Sequence, residues 1–472
     1  MKKIYITIAL VLTGLMAVAQ TSVWDGGRQV WTRGTGTQDN PFLLESADHL
    51  AYLAYVVNKG YDTRGLYFRL TTDVDLNGRE DLQWVPIGLR NRYFNEDGCN
   101  RGIVGNARTI FRGHFDGDGH AISNIYIDNS ENIYGYYAGL FGYTEGEQTG
   151  QGVYPAVVEN VYVVSGFIKG SCSGGIVGFG GGNGSSIGTT LVSRCWNGAT
   201  IEVTTTNIEF GAGGIVGWSA YQVNNCYNVG TINGYVAGGI VGGGSATIEE
   251  CYNDGDVSGT IVGGIFGWNF YGKDTINNCY NTGNIIAEGT APNGLSVSAG
   301  GIAGMKRQGN IVVTNCFNVG SVSSTGLSGC ILAYGTNPVS PANNYYINTC
   351  TGGDEGEPLS ADYMRSQAFV DQLNSGNRNE VWGMDVNNIN DGFPILVEDC
   401  LSIEETSKET IKVYPNPAQG QFTVEGTGCM RVMNLLGQTI LDRKIDGQTT
   451  VELPKGMYFI RIGNATQKVV VE

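Results

Sequence analysis

Residues 224–242 read NNCYNVGTINGYVAGGIVG, and residues 249–267 read EECYNDGDVSGTIVGGIFG. Cys-aromatic-Asn and then Gly-Gly-apolar-apolar-Gly return after 25 residues. A catalytic constellation needs its residues once, whereas recurrence at a fixed period marks stacked architecture. The Gly-Gly element appears as GGIVG at 174–178, 213–217 and 238–242, GGIFG at 263–267 and GGIAG at 300–304. An earlier copy is AGLFG at 138–142, and SGCIL at 328–332 is a degraded one. The second element is CWN at 195–197, CYN from 226, 251 and 279, and CFN from 316, with NYY at 344–346 as an altered last copy. The shortest steps are 12 residues, Gly239 to Cys251, and 13, Cys251 to Gly264. A coil of that length holds about three strands of 4–5 residues plus turns. Its strand residues are β-branched or aromatic, its breakers are Gly and Asn, and helical spacing is missing. Such a unit cannot bury its own apolar face and must stack on copies of itself. The expected fold is all-β: a right-handed parallel β-helix (a solenoid) with short capping helices.

Two columns follow from the register. Cys195, Cys226, Cys251, Cys279 and Cys316 share one repeat position, and Asn197, Asn228, Asn253, Asn281 and Asn318 share another. Stacked parallel strands lie ~4.8 Å apart, whereas disulfide Cβ atoms prefer about 3.8 Å. The Cys are therefore read as small buried thiols and the Asn as an amide ladder along the axis.

The chain has 472 residues, 73 of them Gly, only 15% charged, with a formal charge of −16. That balance argues against nucleic acid, which needs a basic stripe, and against an anionic membrane surface. The start, MKKIYITIALVLTGLMAVAQ, has a basic Lys2-Lys3 pair, an apolar run to Met16 and a small-x-small Ala17-Val18-Ala19. Residues 1–19 read as a secretory signal. Their apolar run is shorter than the ~20 residues of a spanning helix, and no other stretch qualifies. Residues 20–125 are assigned to an N-terminal cap and first coils, 126–350 to the repeats, and 351–400 to a closing segment with a helix. Residues 401–411 are a polar linker, and 412–472 carry the alternation of a small Ig-like β-sandwich. Helical spacing at Ser46–Lys59 and Ser360–Leu373 gives two helices, each expected over an open end of the solenoid.

GGIVGW followed by NNCYN resembles the GLUG repeat of bacterial surface proteins. The resemblance extends over the lead-in NPFLLESADHLAYLAYVVNKG, YFRLTTDVDLNG, WVPIG and FRGHFDGDGHAISNIYI, and over the closing SQAFVDQLNSG and DGFPIL, roughly residues 35–400. It implies a β-helix at the cell surface and says little of function, since such repeats occur in adhesin-like proteins and also flank protease domains. The C-terminal stretch resembles the sorting domain of the type IX secretion system of Bacteroidota. The matching residues are Tyr414, Pro415, Asn416, Pro417, Gly437, Gly456, Tyr458 and Lys468. That resemblance implies passage across the outer membrane, with the secretion machinery as partner.

Chemistry-bearing motifs are few. The only His are His49, His114 and His120, and no HExxH is present, so no zinc-protease site is expected. GFGGGNG at 178–184 leads into no helix, and GSCSG at 170–174 ends inside a repeat, so neither a phosphate loop nor a nucleophile elbow is assigned. Asp73/Asp75 and Asp116/Asp118 are spaced to share a strand face, but FDGDGH has the alternation of a tight turn. Asp274-Thr275-Ile276 resembles the Asp-Thr-apolar O-glycosylation site of the same phylum. Insertions fall at two corners, 180–190, 269–274 and 305–310 at one and 202–210 and 286–297 at the other. Loops on one side of a solenoid often form its binding face. The candidate ligand patch is Trp218, Trp268, Phe270, Tyr271, Lys273, Lys306 and Arg307, aromatics beside cations that suit sugar rings. The bland alternative makes both Trp ordinary column residues and the cations solvated loop charges.

The expected function is a secreted or surface-anchored, non-enzymatic, adhesin-like protein, monomeric and without cofactor, that binds glycan, host matrix or a cell surface. The alternative is a polysaccharide lyase or hydrolase on the same fold, which would need a basic residue facing clustered acids in a groove. A passive coat component is a third reading.

Overall fold

The computed structural model describes residues 21–90, 92–94, 101–103, 109–131, 137–149, 152–181, 189–269, 273–291, 294–306, 310–334, 343–352, 356–377, 380–386, 388–397, 412–416, 418–434, 439–462 and 465–471. The assigned signal and linker lie outside them. The chain forms two compact units, Met1–Leu396 and Val397–Glu472.

The first unit is a parallel β-helix. One coil runs through Thr247–Glu249, Tyr252–Asn253, Val257–Gly263 and Phe266–Asn269, and Lys273–Asn277 of the next coil then pairs in parallel on Thr247–Glu249. Stacking such coils builds sheets of 9, 11, 12 and 7 strands. The coil therefore has four faces where three strands were expected. The extra one, Tyr252–Asn253 and its equivalents, is only two residues long, too short for alternation to reveal it.

The corner leading into that short face explains the position before each Cys. Asn160, Arg194, Asn225, Glu250, Asn278, Asn315 and Asn343 all have φ between +50° and +60°. Asn tolerates this left-handed conformation, whereas other L-residues lose about 1–2 kcal/mol. The two exceptions are held by their stacked neighbours: Arg194 Nε donates to Asn160 Oδ1 at 2.7 Å, and Asn225 Nδ2 donates to Glu250 Oε2 at 3.1 Å.

The residue after this corner turns inward. Cys195, Cys226, Cys251, Cys279 and Cys316 are fully buried and unbridged. Burial pushes the thiols of Cys195, Cys251 and Cys316 well above their ordinary range, so they remain neutral apolar fillers. Asn344 takes over at the last rung. Its Oδ1 accepts from Cys316 N at 3.1 Å, where an earlier coil uses the Cys251 sulfur to meet Cys226 N at 3.4 Å.

Two residues further on stands the Asn column. Nδ2 of Asn197, Asn228, Asn253 and Asn281 donates to Oδ1 of the next Asn at 2.7–2.8 Å, ending on Asn318. Each Nδ2 also bonds a carbonyl two residues on, for example Asn253 to Gly255 O at 2.7 Å. The Gly-Gly element faces this ladder. A Cβ on Gly239 would lie 2.3 Å from Asn253 Cγ and 2.1 Å from Gly264 O. A Cβ on its neighbour Gly238 would lie 2.0 Å from Val241 O, because the chain doubles back within three residues. The two motifs recur together because the amide column occupies the space that the glycines vacate.

Helix α1, Ala47–Asn58, is capped by Ser46, whose hydroxyl accepts from His49 N at 3.2 Å. Its Leu50, Leu53, Ala54 and Val57 join the solenoid's main core with Trp24, Phe68 and Trp84. The closing helices α2, Ala361–Met364, and α3, Gln367–Asn374, do something else. Met364, Phe369, Val370, Leu373, Trp382 and Phe393 form a separate cluster with Tyr280, Phe317 and Tyr345. Those three rings stand on the outer face of the short sheet, stacked across successive coils, with Tyr280 and Phe317 centroids 5.0 Å apart. The segment thus lies along the flank of the last coils instead of across the open end. Asn377 reads the corner column beneath it: its Nδ2 donates to Asn278 Oδ1 at 3.1 Å, and its Oδ1 accepts from Asn278 Nδ2 at 3.2 Å. A Cys330–Cys350 disulfide ties the final coils together.

The second unit is a five-stranded antiparallel sheet around its own core of Phe422, Val424, Met430, Val432, Ile460 and Val469. Tyr414 ends the strand Lys412–Tyr414, exposed, with its hydroxyl 3.4 Å from Glu425 Oε2, and Pro415 and Asn416 follow it. Gly456 opens Gly456–Ile462, and the buried Tyr458 donates its hydroxyl to Pro454 O at 2.9 Å. Lys468 lies in Ala465–Val471. Pro417, Gly437 and the Lys468 side chain are outside the described residues.

Candidate functional site

The Gly-Gly turn folds two faces of the coil toward each other on the outside of the solenoid. Outward residues of the seven-stranded sheet, Tyr143, Phe179, Trp218, Trp268 and Met305, stack in register, with Gly243 standing between the two Trp. Outward residues of the adjoining sheet, Tyr137, Cys172, Val236 and Ile261, pack against them as a second apolar cluster, distinct from the main core. The outside of the coil is therefore a groove floored with aromatics.

The insertions roof it. Ile208 and Phe210 from the loop after Thr204, and Leu295 from the loop after Glu288, pack onto this floor. The second loop is pinned by Tyr235, whose hydroxyl donates to Thr290 O at 3.1 Å, and by Thr260 Oγ1 donating to Glu288 O at 3.1 Å. This corrects the expected patch. Trp268 is fully buried and Trp218 is 6% exposed: both face into the groove and lie under its cover, so neither indole offers a free face. Phe270, Tyr271 and Arg307 lie outside the described residues, as do the side chains of Lys273 and Lys306.

Asp274 stands at the base of one insertion, only 1% exposed. Its Oδ1 accepts from Ala246 N at 3.0 Å and its Oδ2 from Asn269 Nδ2. Both Asp274 oxygens are engaged inside the strand, while Thr275, the hydroxyl of the Asp274-Thr275-Ile276 motif, is half-buried. Burial raises the Asp274 pKa to about 7 from 3.8. Below about pH 4 this costs the fold nothing. As pH rises from there through 7, the unfolded chain releases a proton that the folded one keeps, and stability falls. Asp274→Asn should therefore raise stability by roughly 3 kcal/mol at about pH 8 and leave it unchanged near pH 3, read from urea midpoints at the two pH values.

At the N-terminal end of the groove the floor residues Tyr137 and Tyr143 are buried, and the more accessible groups are Phe179, Phe210 and Arg90. There Tyr143 and Phe179 stack at 5.1 Å with planes 5° apart, and Tyr137 lies 4.9 Å from Phe179 and 6.1 Å, edge-on, from Phe210. Phe179 and Phe210 are half-buried. Arg90 is exposed and lies across this shelf, its guanidinium carbon 4.9 Å from the Tyr143 centroid and 6.0 Å from both Tyr137 and Phe179, with NH1 donating to Tyr137 Oη at 2.8 Å. Beside Tyr143 runs a charged rim. Arg112 is 4.0 Å from Glu145 and 3.7 Å from Glu147, and Arg64 reaches Glu147 at 3.0 Å and pairs with Asp62. Neither insertion length nor motif marks this end of the groove in the sequence. Arg90 is a lone Arg in a loop, and only the fold brings it over Tyr143 and Phe179.

The carboxylate pairs serve turns and ladders. Asp116 Oδ1 accepts from Asp118 N at 2.9 Å and Asn160 Nδ2 at 2.8 Å, and its Oδ2 accepts from Arg69 Nε at 3.0 Å. Asp73 meets His120 Nδ1 at 3.0 Å, and Asp75 holds Asn77 N at 2.7 Å. His114 bonds Glu159 at 2.5 Å, and this bond holds the Glu159 carboxyl below its usual range, helped by Arg194. Among the described residues, no group of three or more His, Cys, Asp or Glu is placed to hold a metal ion. No described helix is long and apolar enough to cross a membrane.

Residues 412–472 match the family model of the secretion system C-terminal sorting domain. This tail implies contact with the type IX machinery and export to the cell surface or beyond. The chain is 33% identical over 124 residues to a protein of Evansella cellulosilytica named "Putative Gly-rich membrane protein", covering 26% of this chain and 12% of that one. It is 30% identical over 186 residues to halomucin of Haloquadratum walsbyi, covering 39% of this chain and 2% of that one. The chain thus spans only a small part of the curated relatives it matches. Among solved structures, one described as "a putative immunoglobulin A1 protease from Bacteroides ovatus" aligns with a TM-score of 0.49 at 22% identity, over 78% of this chain and 95% of that one. Another, described as IgA1 protease, aligns with a TM-score of 0.36 at 16% identity, over 65% of this chain and 22% of that one.

Proposed function

We propose that this exported β-helix is a glycan-binding, adhesin-like surface protein, and that the N-terminal end of its groove is the binding site. The observation that carries the reading is the shelf of Tyr137, Tyr143, Phe179 and Phe210 with an exposed guanidinium lying on it. Tyr137 and Tyr143, 6% and 4% exposed, form the base of the shelf, and the half-buried Phe179 and Phe210 are the rings that a sugar's C–H face would meet while its hydroxyls are bonded at the rim. Strand pairing sets Tyr137 against Cys172 and Tyr143 against Phe179 on successive coils, and loops bring Arg90 and Phe210 to them. The test is a glycan array probed with residues 21–472 and with the Phe179→Ala/Phe210→Ala pair. Selective binding by the parent and at least tenfold weaker binding by the pair is the expected result. Undiminished binding by a folded double variant removes the site from this end of the groove.

A second reading is favoured by the charged residues beside the shelf alone: Arg64 pairs with Asp62 and Glu147, and the buried Arg112 approaches Glu145 and Glu147. Cations facing carboxylates at a groove are what sugar-chain cleavage would use. Incubation with the polysaccharides that bind, followed by assay of new reducing ends and unsaturated products, distinguishes the two.

A further inference from the structure

We propose that the ligand at the N-terminal end of the groove is an acidic polysaccharide, and that Arg90 reads its uronate carboxylate. The inference rests on the glycan reading above and goes on to name the class of sugar. Three features of Arg90 carry it. Its backbone has φ +43°, a conformation that costs a non-glycine residue about 1–2 kcal/mol and that collects at ligand sites. Its guanidinium carbon lies 4.9 Å from the Tyr143 centroid and 6.0 Å from those of Tyr137 and Phe179, in a residue that is exposed. Of its five N–H donors, NH1 is used by the Tyr137 hydroxyl at 2.8 Å.

The contrast with the neighbouring arginines is informative. Arg64, Arg69, Arg112 and Arg194 each stand within ion-pair distance of a carboxylate. Among the described residues no carboxylate stands within ion-pair distance of Arg90, and Glu145 acts on it only from further away, although the chain carries 44 acidic residues against 28 basic ones. Glu145 and Glu147, the acids nearest the shelf, are shared with Arg112 and Arg64, which reduces their repulsion of an incoming anion. A guanidinium beside aromatic rings is weakly hydrated and matches a carboxylate with two parallel N–H···O bonds. A uronate ring offers both halves of the match: a C–H face for Phe179 and Phe210, and a carboxylate in the plane of the fork. A neutral hexose would leave the fork facing water.

The experiment is calorimetric titration of residues 21–472 with oligomers of galacturonate, glucuronate and mannuronate, each as free acid and as methyl ester, and with heparin fragments. At least one uronate acid should bind tenfold or more tightly than its ester, with affinity falling as salt rises. Arg90→Met should abolish the acid–ester difference in a protein that still unfolds cooperatively, and Arg90→Lys should restore part of it. Equal binding of acid and ester, insensitive to salt and to Arg90→Met, overturns the carboxylate assignment while leaving the glycan reading in place. Tighter binding of heparin than of every uronate overturns it in favour of sulfate. No binding of any acid or ester overturns it together with the glycan site.

Discussion

Gly239→Ala is expected to cost about 3–5 kcal/mol, the upper end for one added methyl. The new Cβ would sit 2.1 Å from Gly264 O and 2.3 Å from Asn253 Cγ. Neither neighbour is the free end of a flexible side chain. One is backbone of the next coil and the other is a rung of the amide ladder, bonded on both sides. The coils on either side must therefore part, which strains the parallel pairing between Ile232–Gly238 and Val257–Gly263. In an array where each unit touches only its neighbours, a break at one junction uncouples the two halves. Urea unfolding of residues 21–396 should change from one transition to two. Gly294→Ala is the comparison: nothing lies within 4 Å of its Cβ, and its φ of +74° leaves only the conformational cost, about 1–2 kcal/mol. Similar losses for the two variants would show that contact with the ladder is not what excludes a side chain at Gly239.

Asn253→Leu should be nearly as damaging, by a different route. The side chain is wholly buried; its Oδ1 accepts from Asn228 at 2.7 Å and its Nδ2 donates to Asn281 at 2.8 Å and Gly255 O at 2.7 Å. Leucine fills similar space but orphans the Asn281 and Gly255 acceptors and removes one partner of the Asn228 amide. Each orphan costs about 1–3 kcal/mol, so a loss of roughly 3–5 kcal/mol is expected in the same unfolding experiment. Asn253→Asp distinguishes hydrogen bonding from packing. It keeps the shape and the acceptor for Asn228 but gives up both donations, and it adds a buried charge at neutral pH. Its penalty should shrink as pH falls and the carboxyl is protonated. A penalty independent of pH would place the effect in packing.

The β-helix was legible because Cys-aromatic-Asn and Gly-Gly return at a spacing that only stacked coils explain. The groove was not. Alternation along Phe266–Asn269 would put Phe266 and Trp268 on one side; in the structure Phe266 joins the main core and Trp268 the second cluster, where it is as buried as a core residue. The groove comes from the doubling back at Gly238 and its equivalents, a three-dimensional property of a turn that sequence shows only as two glycines. The closing helix was legible as a helix with Phe369, Val370 and Leu373 on one side. Its partner was not, because the column it covers, Tyr280, Phe317 and Tyr345, is assembled from three separate coils. Arg90 was invisible for the same reason: its ring partners lie 47, 53 and 89 positions away along the chain.

The closing segment bears on how such a protein can change length. It grips the flank through stacked rings and corner amides, features that recur on almost every rung: Tyr227, Tyr252, Tyr280 and Phe317 in one file, Asn225, Asn278 and Asn315 in the other. Loss or duplication of one whole coil upstream shifts the cover along the file and meets it with chemically equivalent partners. A cover across the open end would instead have to match one unique cross-section. The flank-gripping segment leaves the solenoid free to be lengthened or shortened by whole coils while its cover keeps equivalent partners.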